Sequence, residues 1–304
     1  MAEGSLVASL NFLMLCAVLR QPPLKIQKEY LILAALCLAD FVNGLAFFVA
    51  GLDRVVLIVN NLHTKMLTSF QCLLMPHNLL LSVGLFLSGI MLLCVSIDRF
   101  LAIAIPNRYL SFTRRYSVSL VGLFYAFGLC FVCIGFYFSF VSTEQHPAIC
   151  FLDWALGNVA YVKLYFSLRL LMALLSVLVM LVVPVFYRFN RVTPASSSAA
   201  NKRKMKIQRR LTVTMGYSSL CTLLFAVVPG VLNVWLNSAN LSPKMFATLR
   251  VTFALLDETN PILNIFLYTF RHKDLRKGLE YLLKCKELPH NFSQNSQAKP
   301  SRRA

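Results

Sequence analysis

Hydrophobic residues along the chain gather in seven long runs separated by short polar stretches: Gly4 to Leu19, Tyr30 to Leu52, Phe70 to Ile97, Ser117 to Thr143, Asn158 to Tyr187, Leu211 to Leu236 and Met245 to Phe270. A bilayer core of about 30 Å takes roughly 20 helical residues at about 1.5 Å each, so the runs read as membrane-crossing helices, the first of them short. After Phe270 the pattern changes. Leu275, Leu279, Leu282 and Leu283 recur at helical spacing among Arg271, Lys273, Arg276, Lys277 and Lys284, as in a helix lying flat on an anionic leaflet. The pattern predicts an all-α membrane protein: a seven-transmembrane helix bundle (1–270), a short amphipathic helix after the last span (271–285) and a disordered cytoplasmic tail (286–304).

Composition agrees, with 58% apolar and only 14% charged residues among 304. The net charge of +18 suggests nucleic acid until the basic residues are placed. Twenty-four of the 30 fall in three alternate loops and the tail after Phe270: 20–29, 98–116, 188–210 and 271–304. Lys and Arg near span ends are retained in the cytosol, so the N-terminus is expected outside, the C-terminus inside, and nucleic acid is not a partner. The first run has Glu3 as its only early charge and Arg20 behind it, and is read as a retained helix rather than a signal peptide. No internal repeat is visible.

Of nine cysteines, Cys72 and Cys150 alone fall at extracellular positions, where a bridge would pin the outer loop over the bundle; two free thiols are the alternative. Cys130 and Cys133 have metal-like spacing but sit in an apolar span without a histidine and read as packing residues. The five histidines lie in loops or near span ends, so no catalytic pair is expected and no enzyme.

Ionisable groups in hydrocarbon are costly unless paired or hydrated. Asp40 lies mid-span in the second run, and Asp257, Asn260 and Asn264 are spaced by three and four on one face of the seventh. With Asn11 and Ser88 they form either a polar core able to hold a sodium ion or a set of interhelical hydrogen bonds.

At the inner end of the third run stands Asp98-Arg99-Phe100. Taken with Asn11, the Leu36-to-Asp40 segment, the Cys72 and Cys150 pair, Pro229, Asn260-Pro261 and the amphipathic stretch, it makes the chain resemble a rhodopsin-like G protein-coupled receptor over nearly its whole length. The divergent motifs look most like nematode serpentine chemosensory receptors. The resemblance implies a heterotrimeric G protein as partner, an extracellular small molecule or peptide as ligand, plasma-membrane location and no cofactor beyond a sodium ion. It implies that Arg99 is the switch, held by Asp98 when inactive. Asn260-Pro261-Ile262-Leu263-Asn264 matches the family's Asn-Pro-x-x-Tyr with Asn264 in place of the tyrosine. Pro229 would kink the sixth span as a lever, although the family's tryptophan two residues earlier is Val227.

The family's acid at the inner end of the sixth span corresponds to Arg209, so that restraint is expected to be missing and basal activity appreciable. The amine receptors' aspartate aligns with Leu81 and the opsins' lysine with Ala254, which argues against amines and retinal. Lys163, Arg169 and Arg250, with Asn78 and Asn233 as polar neighbours, are the candidate ligand contacts and suit an anion. Lipid snorkelling or pairing with Asp153 or Glu144 is the alternative. Cys285 is a palmitoylation candidate. Asn240 and Asn291 are glycosylation matches, the first hindered by Pro243 and the second cytoplasmic. A transporter or channel using Asp40, Asp257 and Glu258 is the other reading of the function.

Overall fold

The computed structural model describes residues 1–189, 212–236 and 243–286. Its long helices are α1 (Ala2–Arg20), α2 (Lys28–Val59), α3 (Pro76–Ala104), α4 (Arg114–Val141), α5 (Val159–Phe189), α6 (Thr212–Trp235) and α7 (Pro243–Arg271). Helix α8 (Lys273–Leu283) follows α7 directly. Six of them, α1 to α6, are long and apolar enough to cross a membrane. Helix α7, at 29 residues, is as long and carries Asp257 and Glu258 at mid-length. Arg209, Asn240 and Asn291 lie outside the described residues, as does the tail from 287 onward.

Helix starts follow proline. Pro76 and Pro106 stand in the first turn of α3 and of a short inner-loop helix, Pro106–Ser111, where a missing N–H leaves nothing unsatisfied. The same rule splits the run that begins at Phe70. Residues Ser69–Leu73 form their own helix, capped by reciprocal bonds between Thr68 and Gln71, and α3 begins only at Pro76. In α6 the five residues Leu223–Val227 form a π turn just before Pro229, the wide turn that accommodates a residue unable to complete the hydrogen-bond ladder.

In lipid the hydrophobic effect does not drive helices together, so close packing between small residues must. A Cβ on Gly44 of α2 would stand 2.6 Å from the Ala8 backbone nitrogen of α1. A Cβ on Gly84 of α3 would stand 2.7 Å from the Asn43 backbone. These two glycines let α1, α2 and α3 touch backbone to backbone. Helix α3 is the most enclosed, with Phe86, Ile90, Met91 and Cys94 in the core. Helix α4 is peripheral: Leu123 is 66% and Phe140 70% exposed, an apolar surface suited to lipid rather than water.

A two-stranded sheet covers the outer end, β1 (Met66–Thr68) against β2 (Gln145–Pro147), antiparallel with Leu67 opposite His146. At the other end α8 buries Leu275 beneath the bundle, and Gln21 donates to the Lys286 carbonyl, 3.0 Å.

Candidate functional site

Three polar layers occupy the bundle. At the outer end, the disulfide Cys72–Cys150 ties the short helix Ser69–Leu73, just before α3, to the loop that carries β2. Asn78 donates to the carbonyls of Cys72 (2.9 Å) and Cys150 (3.0 Å). His77 bridges the Asp53 carboxylate (2.7 Å) and the Cys150 carbonyl (3.3 Å). Asn78, expected beside a ligand, is therefore committed to holding the loop. Lys163 is exposed on α5 and does not line the cavity described next. Arg250 lies in α7, and its side chain is outside what is described.

The middle layer surrounds a cavity of about 80 Å³, lined from α2, α3, α5, α6 and α7 by residues including Asn43, Ser88, Arg169, Asn233, Asp257 and Asn260. Arg169 of α5 reaches across it. Its Nη2 donates to Asp257 Oδ2 of α7 at 2.5 Å and its Nε to the Leu85 carbonyl of α3 at 3.2 Å. Ser88 donates to Asp40 at 2.5 Å, and Asn43 donates to Glu258 Oε1 at 2.6 Å. The six residues grouped from sequence as one polar core are thus divided, Asn264 accepting from Ser218 of α6. Asp40 and Ser88 meet, but Asp257 is paired with Arg169, Asn260 bonds to α6, and Asn11 donates to Val7 of its own helix. Sequence reasoning missed Asn43, whose only signal was its position three residues after Asp40 on the same helix. It used Glu258 only as a transport-path acid, and it set Arg169 against outer-loop acids rather than Asp257.

Between α6 and α7 a polar seam runs inward. Thr222 donates to Asn260 (3.3 Å), Ser218 donates to Asn264 (2.5 Å), and Ser218 and Tyr268 share a 3.2 Å contact. Asn264 and the buried Tyr268 converge on one serine, so both hold α7 to α6.

The inner layer is built on Asp98 and Arg99, both almost fully buried. Arg99 donates to Asp98 through Nε at 3.0 Å and also through Nη2. Its Nη2 donates to the Tyr109 hydroxyl at 3.1 Å, and that hydroxyl donates to Asp98 Oδ1 at 3.1 Å. Tyr109 comes from the helix Pro106–Ser111 and is wholly buried. Burial, reinforced by Asp98 and opposed by Arg99, raises its phenol above the ordinary range, so it keeps the proton it donates. Lys28, the first residue of α2, sits 3.8 Å over the Tyr109 ring and donates to the carbonyls of Tyr109 and, at 3.1 Å, Phe112. Tyr109 is thus a second partner of Arg99 beside its neighbour Asp98; the sixth-span position of Arg209, where an acidic restraint is expected to be missing, lies outside the described residues. Phe100, next in the motif, is half-buried against the core.

Among the described residues no three His, Cys, Asp or Glu side chains group as a metal site. Cys285 is exposed just after α8. A search of curated proteins finds no match. The model of the 7 transmembrane receptor (rhodopsin family) matches residues 10–268, a stretch that takes in the three polar layers, the whole of α2 to α6 and parts of α1 and α7. The chain therefore belongs to the rhodopsin family of seven-transmembrane receptors.

Proposed function

We propose that this multi-pass membrane protein is a chemosensory receptor that converts occupancy of the bundle by an extracellular small molecule or peptide into activation of a heterotrimeric G protein. The N-terminus is outside and the basic loops and tail inside, in keeping with the distribution of Lys and Arg. The observation that carries the reading is that two charged clusters both rest on α3: Arg169, paired with Asp257 in the cavity, donates to the Leu85 carbonyl of α3, and further in Asp98 and Tyr109 hold Arg99 of the same helix. Release of Arg99 from that cluster exposes a rigid, always charged donor fork at the cytoplasmic face, where a G protein would dock.

Asp40 and Ser88 offer oxygens to a sodium ion, but the Arg169 guanidinium already neutralises Asp257 and a second cation there would be repelled. The site fits a resident sodium ion poorly, and no step of the activation depends on one. The same fixed cation across the cavity speaks against a transport path lined by Asp40, Asp257 and Glu258. Reconstituted in nanodiscs with a panel of G proteins and candidate ligands, the receptor should accelerate GTP exchange, and Arg99→Ala should abolish the acceleration. Exchange equal to that of receptor-free discs under every condition, or an undiminished response in Arg99→Ala, would reject this function.

A further inference from the structure

The Arg169–Asp257 pair limits what can bind beside it. Both side chains are mostly enclosed, 24% and 17% exposed, and each is the other's charge partner across the cavity from α5 to α7. An anion that captured Arg169 would leave Asp257 ionised and unpaired. A cation that captured Asp257 would leave Arg169 in the same condition. Removing one member of an enclosed pair carries a penalty of roughly 100-fold or more in an equilibrium constant. A molecule bearing both charges escapes this penalty, because inserting it turns one ion pair into two.

We propose that the cavity binds a small zwitterion of the α-amino acid type, its carboxylate on Arg169 and its ammonium on Asp257. This names the ligand class for the receptor reading given above and rests on it. Arg169 is suited to the exchange, because its Nε is anchored on the Leu85 carbonyl while its Nη2 holds Asp257, which lines the cavity with it. A bidentate carboxylate fits that fork. Asn43 supplies a further contact: it is 2% exposed, it lines the cavity, and its Oδ1 has no hydrogen-bond partner, leaving an acceptor for an ammonium N–H. Leu170 and Ala173 on α5 form an apolar wall, and the cavity's small size restricts the side chain to a few carbons. An anion alone, the class expected from the arginines in the sequence, satisfies half of this site. Insertion would also separate α5 from α7, which supplies a route from ligand to helix movement.

The test uses the full-length receptor in nanodiscs without G protein and follows Tm against concentration for alanine, valine and two analogues of valine. Isobutylamine lacks the carboxylate, and 3-methylbutanoate lacks the ammonium. Alanine or valine should raise Tm, with half-effect at a concentration about 100-fold below that of either analogue. In Arg169→Gln the advantage over isobutylamine should vanish, and in Asp257→Asn the advantage over 3-methylbutanoate. No shift with either amino acid, or equal potency of a singly charged analogue, would overturn the inference without recourse to variants. So would an unchanged valine response in both. Because binding is read without G protein, failure of GTP exchange would sink the receptor reading while leaving this site standing. Exchange driven by other compounds, with no charge-dependent amino acid binding, would sink only the site.

Discussion

Tyr109→Phe removes one oxygen from the inner cluster and leaves the ring beneath Lys28 in place. The lost atom accepts from Arg99 at 3.1 Å and donates to Asp98 at 3.1 Å, so two charge-assisted hydrogen bonds disappear together. Bonds of that kind contribute roughly 1.5–3 kcal/mol each. Part of this is recovered because Arg99 and Asp98 keep each other, so the net bias toward the restrained state should fall by about 1.5 kcal/mol, close to tenfold in the equilibrium constant. With the released state populated at about one per cent, within the general range for the minor state of a two-state protein, the shift appears as a rise of about tenfold in ligand-free exchange. Ligand-free GTPγS binding by the reconstituted receptor is the assay, with Tm measured alongside to establish that the variant is folded. Lys28→Ala, which loosens the helix carrying Tyr109 without touching Arg99 directly, should move basal exchange in the same direction by less. A folded Tyr109→Phe receptor with wild-type basal exchange would refute the assignment of Tyr109 as the restraint on the switch.

Two further outcomes follow from the packing. Gly44→Val should prevent folding or surface delivery, because the new Cβ meets the Ala8 backbone at 2.6 Å and no rotamer can relieve a backbone clash; overpacking of this kind costs about 1–3 kcal/mol or more, and normal surface levels by flow cytometry would contradict it. Cys150→Ser should lower stability by about 2–4 kcal/mol, because it releases the loop that His77 and Asn78 also grip; an unchanged Tm, with no sensitivity of the wild type to reductant, would show that the bridge is dispensable.

The bundle was legible because membrane insertion reads properties local to the chain. Runs of apolar residues and the placement of Lys and Arg identify the spans. The break at Leu74 and Met75 was not legible, because an apolar run gives no sign of where a capping box such as Thr68–Gln71 closes a short helix. The disulfide was legible by position, since two cysteines alone fall on the outer side.

Which charges meet was another matter. Asp40, Ser88, Asp257 and Asn260 share a depth, which sequence spacing can indicate, but depth does not say which way each helix is rotated about its axis. Rotation is set by close backbone contacts such as those at Gly44 and Gly84. It gives Asp257 to Arg169, 88 residues away, and Glu258 to Asn43, 215 residues away. Tyr109 carries no signal in the sequence, and only the fold places its hydroxyl between Asp98 and Arg99. The amino-acid sequence alone determined that this chain crosses a membrane as helices, and which residues lie at which depth, because transfer into lipid is an additive property of each segment. Only the tertiary structure decided which buried charges neutralise one another, because that depends on the relative rotation of helices far apart in the chain.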